Sequence, residues 1–361
     1  MRITANQLTS VRILLIPIPC VLMILGGHRI QMLAWILYIL VGITDFFDGM
    51  LARKYGSTRL GSLLDPIADK IYIALLFIPM SILGFLPHWL VVAIIVRDPI
   101  VTLFRSISQV RGITMKTASL AQYKTAIQMI TGGYMIWVFL VPERKPAVTG
   151  MLAMVALCLL WFAIYFALRR RLHPRLLTLV GMVGAAPVIR HFFSMEMTIL
   201  IFGVLVLAIT WASAIHYLVL LGMKYPSGTG RVTAQGWLLG GLESLALPLA
   251  VLVLQGIREV PLWVPMGVIS LEFAVGALDN LITGEGVSRS ARETWLKLIL
   301  QLGIAGVIFL KLYAPGLLPV FLGHEIRVDA YLLFGVTLLS FIILFARYGL
   351  RFVFEGGSRT A

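Results

Sequence analysis

The chain has 361 residues, 60% of them hydrophobic and 13% charged, with a mean hydropathy of +0.96. That is more apolar material than a soluble domain needs for its core, so the composition excludes an ordinary soluble protein and points to a polytopic membrane protein. The net charge of +14 would suit a nucleic-acid binder, yet the basic residues fall in alternate connections, as the positive-inside rule places them, and no nucleic-acid partner is expected.

Taken in chain order, apolar stretches close to the roughly 20 residues that cross a bilayer recur about twelve times. They lie near 11–27, 31–52, 63–85, 88–107, 120–141, 149–168, 175–193, 197–221, 236–256, 261–283, 295–313 and 330–350. The fold expected is therefore an all-α polytopic membrane protein. With a cytoplasmic N-terminus, the connections carrying Arg53, Lys54 and Arg59, then Arg111 and Lys116, then Arg169, Arg170, Arg171 and Arg175, then Lys224 and Arg231, then Arg289 and Arg292 all fall inside. There they face anionic headgroups. The opening "MRITANQLTSVR" has no small-residue cleavage site after its apolar run and reads as the approach to a retained first helix. Cys20 and Cys158 both lie within expected spans, which supports neither a disulfide framework nor a thiolate metal site. The six histidines are too scattered for a histidine metal site.

The acidic residues are distributed differently. The stretch "DFFDGMLARKYGSTRLGSLLDPIAD" holds Asp45, Asp48, Asp65 and Asp69, and before residue 142 the only other acidic residue is Asp98. Residues three or four apart share a helix face, so Asp45 and Asp48 project together from the end of the second span and Asp65 and Asp69 from the start of the third. Carboxylates about 5 Å apart repel by roughly 3 kcal/mol per pair at an effective dielectric of about 20. Asp45 and Asp48 also approach a helix C-terminus, where the macrodipole disfavours anions. A positive partner must offset this. Arg53 supplies part of it, and four hard oxygen ligands without imidazole or thiolate suit Mg²⁺, with Mn²⁺ as the substitute. Two such ions clamp and polarise a phosphoryl group. Asp45 lies about 21 Å along the helix from Gln31, which sets the site just beneath the inner headgroups. Gly49, Ala52 and Gly61 leave room beside the carboxylates, or serve helix packing.

The pattern Asp45-x2-Asp48-Gly49-x2-Ala52-Arg53-x7-Gly61-x3-Asp65-x3-Asp69 resembles the signature of the CDP-alcohol phosphotransferase family. The resemblance implies a six-helix catalytic bundle, usually a homodimer, in which an acceptor hydroxyl displaces CMP from a CDP-linked lipid. It implies that Asp45, Asp48, Asp65 and Asp69 hold two divalent cations, that Asp69 is also the base for the attacking hydroxyl, and that Gly49, Ala52, Arg53 and Gly61 line the CDP site. The stretch "NQLTSVRILLIPIP", with Asn6, Leu8, Thr9, Arg12 and Pro17, is similar to the start of the family's bacterial phosphatidylglycerophosphate synthases. "RDPIVTLFR" and "YKTAIQ" resemble that group's fourth and fifth helices, which makes Arg97, Arg105 and Lys124 the residues expected to grip the phosphate of glycerol 3-phosphate. Asp98 stands where that group usually has Glu, and Arg97-Asp98 with "LGSLLDPIADK" also resembles the cardiolipin synthases. The expected reaction is transfer of a phosphatidyl group from CDP-diacylglycerol to glycerol 3-phosphate; phosphatidylglycerol is the alternative acceptor.

The catalytic domain is expected over 1–172, extending to about 225 if "TWASAIHYL" rather than 149–168 is the sixth catalytic helix. In that second case 149–193 is an inserted helical hairpin. Residues 173–361 form a transmembrane extension of about six further helices, to which the sequence assigns no chemistry. Glu243 and Glu272 fall within its expected spans, either as functional groups or as partners of arginine or backbone. A cation-coupled transporter of twelve spans is the alternative of another class. It should show related halves, and the acidic cluster is unmatched in the second half. The expected setting is the bacterial inner membrane, with the site on the cytoplasmic side and membrane lipids around the helices.

Overall fold

The computed structural model describes residues 5–55, 59–110, 119–169, 174–223, 261, 263–284, 291–313 and 326–346. Every regular element among them is helical: α1 Ala5–Leu15, α2 Pro17–Leu25, α3 His28–Tyr55, α4 Arg59–Ile82, α5 His88–Val110, α6 Ser119–Leu140, α7 Arg144–Arg169, α8 Pro174–Phe192, α9 Met195–Met223, α10 Trp263–Gly284, α11 Ala291–Tyr313 and α12 Ile326–Leu344. Eleven of the twelve expected spans coincide with these helices, and the remaining one, 236–256, lies outside the described residues.

The first expected span divides in two at Ile16. Pro17 has no N–H to continue the ladder, and its fixed φ suits the first turn of a new helix, which it opens as α2. Gly26 then ends α2, its N–H still bonded to the Leu22 carbonyl at 3.0 Å while its backbone turns extended. The α4–α5 turn uses Gly84 at φ 79°, a left-handed conformation that a Cβ would oppose, while Phe85 and Leu86 both donate to the Met80 carbonyl.

Helix α4 is the axis of the fold. Residues 71–78 are all buried, so it is apolar on every side, as a helix enclosed by neighbours must be. It packs against α1, α2, α5, α6 and α10. Helix α9 lies against α5 and α6, whereas α7 and α8 pair chiefly with each other. Helices α10, α11 and α12 form a smaller bundle around Val264, Val268, Ile308, Ala330 and Leu333. Helix α10 belongs to both bundles, because its Met266, Ile269 and Phe273 lie in the main core.

The outer faces are apolar. Leu33, Ile36, Leu40 and Ile43 form one exposed row on α3 at three- and four-residue spacing. A stripe of this kind suits a lipid environment and would be a liability in water. Met195–Ile215 and Arg327–Leu344 are long and apolar enough to cross a membrane. Among the described residues, Val11–Leu25, across α1 and α2, and His28–Thr44, in α3, are further apolar stretches.

Candidate functional site

The acidic edges are positioned by the contact of α3 with α4. Tyr38 donates its hydroxyl to the Leu75 carbonyl at 2.7 Å, and Tyr72 donates to the Tyr38 carbonyl at 2.7 Å. Gly42 faces the Tyr72 hydroxyl, where a Cβ would come within 3.1 Å of it. The helices thus run antiparallel, linked through the two tyrosine side chains. Carried one to two turns further, this register brings Asp45 level with Asp69 and Asp48 level with Asp65. The backbones of Asp45, Asp48, Gly49, Ala52 and Arg53 are helical in α3, that of Gly61 in α4 and that of Arg105 in α5, and their side chains lie outside the described residues.

The two described carboxylates are both tied to α1. Thr9 donates to Asp65 Oδ1 at 2.9 Å, and Arg12 Nη2 meets Asp69 Oδ1 at 2.8 Å. Arg12 is 1% exposed along its side chain, while Asp69 remains 33% exposed, so the guanidinium approaches from the protein side and the carboxylate keeps an open edge. The sequence placed Thr9 and Arg12 by resemblance without giving them a task. A basic residue within the apolar run "VRILLIPIP" was the available signal, since a buried guanidinium needs a carboxylate.

No group of three or more His, Cys, Asp or Glu side chains able to hold a metal occurs among the described residues. Asp65 and Asp69 supply hard oxygens on one part-exposed face, which fits magnesium by ligand type. The other half of the expected ligand set, Asp45 and Asp48, shares their level by helix register.

A second polar centre joins α5, α6 and α9. Asp98 receives Arg97 Nη1 at 2.8 Å and is also paired with Lys124, and all three side chains are buried. Arg97 Nε donates to the Thr210 carbonyl at 3.1 Å, and its Nη2 donates to Ser213 Oγ at 2.5 Å. Gln128 donates to Thr210 Oγ1 at 3.0 Å, and Trp211 donates to the Ala93 carbonyl at 2.9 Å. The guanidinium of Arg97 is therefore engaged on three sides and holds α5 to α9. Lys124 and Arg97 thus share one buried carboxylate. Arg97 and Lys124, which inner-face lipid contact would otherwise explain, are both interior.

In the extension, Glu272 pairs with Lys297 at 2.8 Å and with Gln301, so its partner is a lysine rather than an arginine or the backbone. Glu243 lies outside the described residues.

The family model for CDP-alcohol phosphatidyltransferase matches residues 2–169. A Mycobacterium tuberculosis protein described as a probable phosphatidylglycerophosphate synthase is 34% identical over 167 residues, 45% of this chain and 79% of that relative. A CDP-diacylglycerol–glycerol-3-phosphate 3-phosphatidyltransferase of Rickettsia bellii is 35% identical over 128 residues, 34% of this chain and 69% of the relative. The chain belongs to the CDP-alcohol phosphatidyltransferase family. That membership replaces the transporter reading of the acidic cluster. No solved structure matches.

Proposed function

We propose that this protein transfers the phosphatidyl group of CDP-diacylglycerol to glycerol 3-phosphate and releases CMP. The observation that carries the reading is the α3–α4 register, which sets the two acidic pairs level, with Thr9 and Arg12 fixing the second pair. The names of the relatives support glycerol 3-phosphate as the acceptor.

In this reaction the acceptor oxygen bonds to the phosphorus that carries diacylglycerol. The bond from that phosphorus to the bridging oxygen breaks, and CMP leaves with the electron pair. Asp69 takes the hydroxyl proton. Two Mg²⁺ ions, held by Asp45, Asp48, Asp65 and Asp69, supply the positive charge that a diphosphate needs. Gly49, Ala52, Arg53 and Gly61 line the CDP end, and Lys124 and Arg105 receive the acceptor phosphate. Arg97 then acts by holding α9 and orienting Asp98. Most of the catalysis is positioning and charge compensation.

The same reading assigns the catalytic bundle to α1–α6 together with α9, which extends the domain to about 225 and makes α7–α8 an inserted hairpin. The family model runs through the whole of α7, to its last residue, Arg169. The packing supports including α9, because Thr210 and Ser213 satisfy a buried guanidinium of α5. About twelve crossings of the bacterial inner membrane, a cytoplasmic site and a homodimer complete the proposal.

The test is purified protein with CDP-diacylglycerol, Mg²⁺ and a panel of acceptors. CMP release with glycerol 3-phosphate is expected. Strong release with phosphatidylglycerol and none with glycerol 3-phosphate would overturn the acceptor.

A further inference from the structure

Helices α3 and α4 each pack on α1, α2 and α6, and two tyrosine hydroxyls link them to one another. Both hydroxyls go to main-chain carbonyls, which the sequence makes available for different reasons. Pro79 has no N–H, so the Leu75 carbonyl four residues earlier lacks its donor in the α-helical ladder, and Tyr38 donates to it at 2.7 Å. The Tyr38 carbonyl is the one that the Gly42 N–H addresses within α3. Because Gly42 carries no Cβ, the Tyr72 hydroxyl has room to reach that same carbonyl, also at 2.7 Å. A Cβ on Gly42 would stand 3.1 Å from the Tyr72 hydroxyl and 3.6 Å from Cζ. Both tyrosines are buried, and their rings meet edge to face with centroids 6.2 Å apart.

Gly42 and Tyr72 therefore stand opposite each other, and the acidic edge begins three residues away on both helices, at Asp45 after Gly42 and at Asp69 before Tyr72. That is about 4.5 Å of rise on each side. Apolar packing is non-directional and tolerates an axial shift that a coordination sphere does not, since Mg²⁺ holds its oxygen ligands near about 2.1 Å. Two oriented hydrogen bonds, one donated from each helix to the other, define a single axial position.

We propose that Tyr38 and Tyr72 are positioning residues for the divalent-metal centre, their reciprocal hydroxyl bonds fixing the axial register of α3 against α4 and so the separation of the Asp45–Asp48 pair from the Asp65–Asp69 pair. This rests on the two-ion reading of the acidic quartet. Neither tyrosine is a ligand, and each acts through the backbone that carries the carboxylates. When either bond is lost, the two pairs have to be brought back into register as the ions bind, and the affinity falls by what that bond contributed.

The test uses the full chain in detergent, titrated calorimetrically with Mg²⁺ alone, beside thermal unfolding of the same samples. Tyr38→Phe and Tyr72→Phe each keep the ring and remove one bond, and each should raise the Mg²⁺ dissociation constant about three- to tenfold, the scale of one hydrogen bond. Gly42→Ala separates register from stability. Alanine is the better helix former, yet its Cβ crowds the Tyr72 hydroxyl, so Mg²⁺ binding should weaken by a similar factor. In the Tyr72→Phe background that hydroxyl is gone, and adding Gly42→Ala should weaken binding no further. A lower melting temperature with an unchanged Mg²⁺ dissociation constant in both phenylalanine variants would show that the tyrosines only stabilise the fold, and would overturn the proposal. Full additivity of Gly42→Ala with Tyr72→Phe would overturn it as well. If the shifts are present but the wild type releases no CMP with glycerol 3-phosphate, the acceptor reading fails and the positioning stands. A wild type that binds no Mg²⁺ overturns the two-ion reading and this inference with it.

Discussion

Arg12 and Asp69, 57 residues apart in sequence, meet at 2.8 Å, with the guanidinium buried and the carboxylate partly open. The first helix therefore acts on the acidic edge directly. Replacing Arg12 by Ala leaves a carboxylate without its inner partner. We expect CMP release to fall by about two orders of magnitude, comparable with the cost of breaking a buried pair. Arg12→Lys should recover only part, since one ammonium cannot reproduce the guanidinium fork. Steady-state kinetics of the two variants checks this.

Asp65 and Asp69 are expected to be indispensable. Asp65→Asn and Asp69→Asn should each lower turnover by about 10³-fold or more, the scale of losing a metal-held phosphoryl clamp. EDTA should abolish CMP release from the wild type, and added Mg²⁺ should restore it. Activity that persists through exhaustive chelation would refute the metal assignment.

Thr9→Val removes one hydrogen bond to Asp65 and keeps the side-chain shape. A loss of about 1.5–3 kcal/mol is expected for a hydrogen bond to a charged group, seen as a higher Mg²⁺ concentration for half-maximal rate. Direct metal titration by calorimetry should show the same displacement without reference to turnover.

Asp98→Asn should destabilise the fold by about 3–5 kcal/mol, because it leaves the buried Arg97 and Lys124 without their counter-charge. Thermal unfolding in detergent measures this. Asp98→Glu keeps the charge and should stay closer to wild type.

Thr210→Val and Ser213→Ala lie outside the stretch matched by the family model and still contact Gln128 and Arg97. Each should cost about 1–3 kcal/mol of stability, the range for stranding a buried polar partner. Substitutions in α7 at exposed residues such as Leu157 should leave both stability and turnover unaltered.

The helices were legible in the sequence because apolar runs of membrane length are a strong signal, and the acidic quartet because its carboxylates stand in a chain otherwise poor in them. Two features were not. The break at Ile16 requires noticing that Pro17 ends one helix and begins another inside a single apolar run. The packing of α9 on α5, which "TWASAIHYL" suggested only as an alternative, required knowing that Arg97 would reach residues more than 100 positions away. Sequence spacing carries no information about such pairs. Glu272 stood out as an acid within a span, but its partner on α11 was hidden for the same reason: the two lie on separate helices.

The bond from Arg97 to Ser213 also orders events during synthesis. When α5 and α6 have left the ribosome, Arg97, Asp98 and Lys124 are already made, but the residues that take up two of the three guanidinium contacts are still to be translated. Until Thr210 and Ser213 emerge, the Arg97 guanidinium has yet to gain two of its contacts. The buried cluster around Asp98 is therefore completed late, after α7 and α8 have been made.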